Sequence, residues 1–146
     1  MDSALGVGRR TVYCTDLYPA FPGYEILRNH HKCIRRPSQA QVRSAIDRGF
    51  LRAELDIVKP RAILLLGAET YAQFYRYMLQ ITASPGLEAI VARIQNVDLP
   101  SYKGAVVVPF FHPSPANPKF LRWFKRWGSR LHDSPLIQRL SGYLDS

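Results

Sequence analysis

The sequence has only two cysteines, few acidic residues and no long hydrophobic run. Cys14 and Cys33 are too few for a disulfide framework and no export signal precedes them, so we expect reduced thiols. Since no apolar run approaches the roughly 20 residues of a membrane span, we expect a cytoplasmic protein without a membrane partner. A Gly-rich phosphate loop is also missing after every predicted strand, which disfavours a nucleotide-binding α/β domain.

The surplus of positive charge indicates a polyanionic partner. Twenty Lys and Arg residues stand against eleven Asp and Glu, which gives a formal net charge of +9. A surplus of this size favours a protein that binds nucleic acid. The chain has 146 residues, 47% of them hydrophobic, so it can bury a core, and we expect residues 1–146 to form a single domain.

The order of apolar segments predicts an α/β fold. Strands are predicted at residues 11–18, 62–67 and 105–109, and helices at 39–59, 68–79, 84–95, 118–131 and 135–144. Because strand-helix-strand order is typical of right-handed parallel crossovers, we expect a three-layer α/β/α domain with a short parallel sheet. The segment between the first strand and the first helix is predicted to be a long loop of the kind that binds a ligand or moves.

The predicted helix at 118–131 has two distinct faces. Asn117 is a natural N-cap, and Pro118 suits the first helical position. An apolar stripe, which we expect to be buried, consists of Phe120, Phe124, Trp127 and Leu131. A basic stripe, which we expect to face a partner, consists of Lys119, Arg122, Arg126 and Arg130.

The motif loop, residues 112–117, reads His-Pro-Ser-Pro-Ala-Asn and follows the last predicted strand. Its two prolines fix the backbone on either side of Ser114, so the His, Ser and Asn side chains are held close together at low entropic cost. Ligands of open α/β sheets bind at the carboxyl ends of the strands. The pattern therefore predicts a preorganised site at this loop.

The motif loop closely resembles the second signature motif of the uracil-DNA glycosylase superfamily. Residues 50–67 are similar to the helix-strand segment of its bacterial and archaeal family four, with a leucine-rich helix, a Lys before Pro and a strand closing in Leu-Gly. The stretch at 29–37 is similar to the family's Asn-x-x-Lys-Cys-Arg-Pro-Pro segment. The similarity runs from about Val12 to Trp127.

The resemblance implies a domain that flips uracil out of DNA and hydrolyses its N-glycosidic bond, the first step of base excision repair. His112 matches the family histidine that stabilises negative charge on the departing uracil, and Ser114 matches the serine that contacts a backbone phosphate. The implied partner is uracil-containing DNA, and the oligomeric state stays open. The residues expected to contact DNA are Pro113, Ser114, Pro115, Asn117, Lys119, Arg122 and Arg126.

Two residues compete for reading the base, a role that an Asn has in the family. Asn29 matches through Asn-x-x-Lys-Cys, and Asp16 matches by its place at the end of the first predicted strand. An aspartate could donate to uracil O4 only when protonated, which favours Asn29 on chemistry, whereas placement favours Asp16. Both alternatives stay open.

The sequence also departs from family four. Residues 1–10 contain no Gly-Glu-x-Pro-Gly segment, so we expect an N-terminally truncated version of a longer protein, weak or inactive as this short chain. The family's iron-sulfur cluster requires four cysteines, so with two we expect no cofactor and no metal. The alternative to a glycosylase is a non-catalytic nucleic-acid-binding α/β domain.

Overall fold

The computed structural model describes residues 13–17, 24–26, 32–34 and 36–144, with the backbone alone at 24–26 and 32–34. Residues 14–58 form one compact unit, here the N-terminal unit, and Tyr13 with residues 59–144 belongs to another, the C-terminal unit. The assignment of residues 1–146 to a single domain stays a prediction. None of the helices in the described ranges has the length and apolar character needed to cross a bilayer.

The N-terminal unit contains a pair of short strands followed by two helices. Its elements are β1 (Tyr24–Ile26), β2 (Lys32–Ile34), α1 (Gln39–Asp47) and α2 (Phe50–Val58). The two strands are antiparallel, with Glu25 opposite Cys33, and they lie in the segment predicted to be a loop.

The strand predicted at residues 11–18 is wrong for the part that the structure describes. Residues 13–17 form no strand, and residues 11, 12 and 18 lie outside the described residues. Cys14, Thr15 and Asp16 are exposed. β-Branched and aromatic residues favour a strand only when one face of it is buried, and this segment has no such face.

The predicted helix at 39–59 is two helices, because Gly49 interrupts it. Gly49 has φ of +80°, a left-handed conformation that ends α1 and reorients the chain before α2. Consequently Phe50 is 60% exposed, whereas Leu51 is buried. The predicted start is confirmed: Ser38 Oγ accepts a hydrogen bond from Gln41 N at 3.2 Å, and Gln41 Oε1 accepts one from Ser38 N at 2.8 Å.

The C-terminal unit is built on a three-stranded sheet with the longest strand in the centre. Its strands are β3 (Ala62–Leu66), β4 (Ser101–Tyr102) and β5 (Ala105–Phe110), in the order β3-β5-β4. β3 and β5 are parallel, and every residue of β5 is buried, because strands flank both of its edges and helices contact it as well. The predicted α/β class is therefore confirmed.

The sheet is mixed rather than wholly parallel, because β4 folds back antiparallel onto β5. The connecting residues Lys103 and Gly104 have φ of +47° and +86°. Positive φ at both central residues is typical of the tight hairpin turns that match strand twist. Two residues are too short a segment for an alternating pattern, so β4 could not be predicted from sequence.

Four helices and one 3₁₀ helix surround this sheet. They are α3 (Ala68–Tyr77), α4 (Leu87–Ala92), α5 (Pro118–Trp127), the 3₁₀ helix (Gly128–Asp133) and α6 (Pro135–Leu144). Helices α3, α4 and α6 contact the strands. The buried residues at helical spacing in the predicted helices 68–79 and 135–144 are Tyr71, Phe74, Tyr75, Met78, Leu136, Ile137 and Leu140.

Helix α5 departs from its predicted packing. None of its residues is buried, and Leu121 and Phe124 are 44% and 49% exposed. The helix instead contacts the sheet through Trp123, whose ring lies edge-on to Phe110 with 4.8 Å between ring centroids. The predicted apolar stripe contains residues spaced four, three and four positions apart. This spacing omits Trp123, although Trp123 makes the contact with the sheet.

Candidate functional site

The site lies where the parallel strands β3 and β5 end side by side. Gly67 follows β3, and its backbone N donates to the carbonyl oxygen of Phe110 at 2.8 Å, which fixes the two carboxyl ends together. His112 lies two residues beyond Phe110. The position agrees with the rule that ligands of α/β sheets bind at this edge.

Gly67 is required by its backbone conformation. Its φ of +102° is a conformation that residues with a Cβ adopt only under strain. A Cβ placed on Gly67 would lie 3.4 Å from His112 Cβ, an ordinary van der Waals contact, so the backbone conformation alone demands glycine. Glycine thus lets the chain turn from β3 into α3 while the histidine lies directly beside it.

Hydrogen bonds inside the motif loop hold its shape. The carbonyl oxygen of His112 accepts from Ser114 N at 2.9 Å and from Asn117 Nδ2 at 3.1 Å. Ser114 accepts through its carbonyl oxygen from Asn117 N at 2.9 Å and through Oγ from Ala116 N at 3.2 Å. The rigidity expected from the prolines therefore has a second physical source.

The His112 side chain is exposed at the tip of this arrangement. Its imidazole has no hydrogen-bond partner among the residues that the structure describes. A neutral imidazole offers one N–H donor and one acceptor nitrogen. Both are thus free to meet a ligand, while the backbone of the same residue is fixed by the loop.

Asn117 connects the motif loop to α5. Its Oδ1 accepts from Lys119 N at 3.1 Å and Phe120 N at 3.4 Å, which caps the helix as predicted. Its Nδ2 donates to the His112 carbonyl oxygen. Both ends of the amide are engaged within the protein, so Asn117 positions the loop, and its contact with DNA stays a prediction.

The basic stripe begins directly after the motif loop. Its residues on α5, Lys119, Arg122 and Arg126, are exposed. Lys119 Nζ forms an ion pair with Glu88 Oε2 at 2.9 Å. Arg126 and Arg130 lie over the Trp127 ring, with 5.1 Å and 5.0 Å from guanidinium carbon to ring centroid. These cation-π contacts restrain two of the four cations while leaving their charge at the surface.

An apolar cavity of about 170 Å³ lies behind the motif loop. Its lining consists of Leu64, Leu66, Phe110, Pro113, Phe120, Trp123, Leu131, Leu136, Ile137 and Leu140. A uracil has two carbonyl oxygens and an N–H that need partners, and these apolar side chains offer none apart from the indole N–H of Trp123. The cavity is therefore unsuited to reading a base.

The structure does not test which of the two candidate residues reads the base. Asp16 is exposed and belongs to the N-terminal unit, where its neighbour Thr15 donates from Oγ1 to Glu54 Oε2 at 2.6 Å. Asn29 lies outside the described residues. The choice between them stays a prediction.

The cysteines do not fit the iron-sulfur cluster of family four. Four thiolates are needed, and the sequence has two cysteines. Cys14 is exposed and free, and the side chain of Cys33 is outside the described part of the chain. Within the described part, no group of three or more His, Cys, Asp or Glu residues is placed to hold a metal ion.

Sequence reasoning missed two residues of this region. The sequence marks Gly67 only as the end of a strand, because its approach to His112 depends on how β3 and β5 pair. Glu88 carried no signal at all, because its pairing with Lys119 joins two helices that are distant in sequence. Neither contact leaves a local pattern.

The fold and the site define an α/β protein with a histidine loop at the carboxyl edge of its sheet and a basic helix beside it. Residues 1–130 match the family model described as the Uracil DNA glycosylase superfamily. No curated protein matches the chain. The chain belongs to the uracil-DNA glycosylase superfamily, which confirms at that level the resemblance carried by the motif loop.

Proposed function

We propose that this protein excises uracil from DNA by hydrolysing the N-glycosidic bond, in base excision repair, and that it is of the family four type. The observation that carries the proposal is the exposed His112 imidazole on a hydrogen-bonded loop at the carboxyl edge of the sheet. The proposed location is the cytoplasm.

The chemistry requires stabilisation of charge that develops as the bond breaks. The electron pair of the bond between the sugar C1′ and uracil N1 leaves with the base. Water adds to C1′ and gives its proton to solvent, and solvent protonates the released uracil anion. Negative charge spreads to uracil O2, where a preorganised N–H donor stabilises the transition state more than the substrate. His112 is proposed as that donor, and a neutral imidazole suffices.

The motif loop and the basic stripe have separate tasks in binding DNA. Extruding a base costs a few kcal/mol of stacking and pairing. A stiff Pro113-Ser114-Pro115 segment that enters the minor groove offsets part of this cost. The cations of α5 contact the phosphates, which supplies affinity that does not depend on sequence.

The test is incubation with single- and double-stranded oligonucleotides that carry one uracil, followed by alkali. Scission at the uracil position, absent from matched oligonucleotides with thymine, is the expected result. The buffer contains EDTA, because we expect no metal cofactor. Salt-sensitive DNA binding without scission would contradict the proposal and identify a non-catalytic nucleic-acid-binding domain.

Asn117 variants separate the positioning of the loop from the stability of the helix. Asn117→Ser keeps an oxygen for the N-cap and loses the amide donor to His112, so we expect near-normal stability with about tenfold slower excision. Asn117→Ala loses both functions and should also lower the free energy of unfolding by about 1 kcal/mol. Excision rates and urea denaturation measure the two effects, and a full rate in Asn117→Ser would show that the loop does not need this bond.

A further inference from the structure

A carboxylate lies against the basic stripe close to the motif loop. Glu88 is in the first turn of α4, and Lys119 is in the first turn of α5. Glu88 Oε2 lies 2.9 Å from Lys119 Nζ, and the two side chains are 60% and 50% exposed. The pair therefore occupies part of the surface that is proposed to meet DNA.

The same carboxylate is influenced by a second cation. Arg122 follows Lys119 by one helical turn and so shares its face of α5. The hydrogen bond from Lys119, the charge of Lys119 and, to a smaller extent, the charge of Arg122 hold the pKa of Glu88 below its usual range. Glu88 is thus an anion beside two of the four cations of the stripe.

We propose that Glu88 competes with DNA phosphate for Lys119 and thereby lowers the affinity of the basic stripe for undamaged DNA. The inference rests on the proposed function, in which the stripe contacts phosphates. Carboxylate and phosphate oxygens accept hydrogen bonds from the same lysine donors. An ion pair this exposed contributes little to folding, so phosphate can displace it without disturbing the structure.

The consequence concerns release from undamaged DNA rather than catalysis. A repair enzyme meets far more undamaged than damaged DNA, so weaker binding through phosphates alone leaves more of the protein free to reach a damaged site. An acidic competitor weakens binding that depends on phosphates alone, since each neutralised phosphate adds to affinity irrespective of sequence. Binding that also gains from an extruded uracil retains that additional free energy.

The test measures the affinity of Glu88→Gln for a fluorescein-labelled duplex without uracil, by anisotropy between 50 and 200 mM KCl. Releasing Lys119 allows about one more phosphate contact, which should tighten Kd about three- to tenfold at 50 mM KCl. The slope of log Kd against log KCl concentration should become steeper by about one. Asp98→Asn makes the same change in net charge at another exposed site of the C-terminal unit and should change Kd less than about twofold.

A second variant tests whether Glu88 acts through Lys119. Lys119→Gln should remove the gain when combined with Glu88→Gln, and it should have a smaller effect alone, because Lys119 is already paired. The inference is overturned if Glu88→Gln matches Asp98→Asn, or if the gain survives Lys119→Gln. Absence of DNA binding in wild type and Glu88→Gln alike overturns the inference and the proposed function together. The expected changes in binding without uracil excision would overturn the excision proposal alone.

Discussion

Replacing His112 with alanine is expected to slow uracil excision about 100- to 1,000-fold, the usual effect of removing one donor to a developing oxyanion. The imidazole is exposed and has no partner among the described residues, so its removal leaves no buried group unsatisfied. The backbone bonds to the His112 carbonyl oxygen do not involve the side chain, and the motif loop should keep its shape. Single-turnover rates with saturating enzyme measure the effect on the chemical step.

The matched control is His132→Ala, which removes another exposed histidine of the same unit. It should leave the excision rate within about twofold of wild type, because ordinary surface substitutions disturb little. DNA affinity should be nearly unchanged in both variants, since the phosphate contacts are assigned to Ser114 and α5, not to either histidine. An equal loss of rate in both variants, or none in His112→Ala, contradicts the assigned role.

The second large effect is on stability. Phe74→Ala should lower the free energy of unfolding by about 3–5 kcal/mol, because it removes a large side chain from a close-packed core and leaves a cavity. Phe74 is 2% exposed, and its ring lies edge-on to Tyr102 with 6.1 Å between centroids. Both tryptophans of the chain, Trp123 and Trp127, are in the C-terminal unit, so urea denaturation followed by their fluorescence reports on this unit.

Phe124→Ala is the control for the same chemical change at a surface position. Phe124 is 49% exposed on α5, so its truncation should cost about 1 kcal/mol or less. The comparison tests whether the core lies between α3 and the sheet rather than beneath α5. Similar losses for the two variants would show that α5 packs more tightly than its exposure indicates.

The parts of the fold that follow from local sequence were predictable. The spacing of Tyr71, Phe74 and Met78 predicts the buried face of α3, and the Ser38 and Asn117 caps mark where helices begin. These features depend on residues within one or two helical turns. Local sequence was therefore sufficient to predict these features.

The errors came from features that depend on distant parts of the chain or on one backbone angle. The β-rich composition at 13–17 predicts a strand, but exposed side chains give that strand no buried face. The apolar period through α1 and α2 suggested one helix, whereas Gly49 in a left-handed conformation separates two. The period stays intact across such a break, so periodicity cannot reveal it.

The candidate site likewise has one part that local sequence predicts and another that depends on contacts between distant residues. The motif loop is one contiguous segment stiffened by its own prolines, so His112 could be selected from sequence. Its surroundings were not predictable, because Gly67 reaches His112 only through strand pairing and Glu88 reaches Lys119 only through helix packing. The motif loop is thus predictable from sequence, and the residues that position and modulate it are not.

The central claim is that the imidazole of His112 meets a uracil extruded from DNA. The most direct measurement is the NMR spectrum of protein with ¹⁵N-labelled histidine, titrated with a duplex that carries one 2′-fluoro-2′-deoxyuridine, an analogue that resists glycosidic cleavage. Resonances of His112 are identified by their loss in His112→Ala. We expect its ring resonances to shift with this duplex and to stay unchanged with a matched thymidine duplex, while those of His132 change with neither. Binding of both duplexes with an identical His112 spectrum would contradict the account.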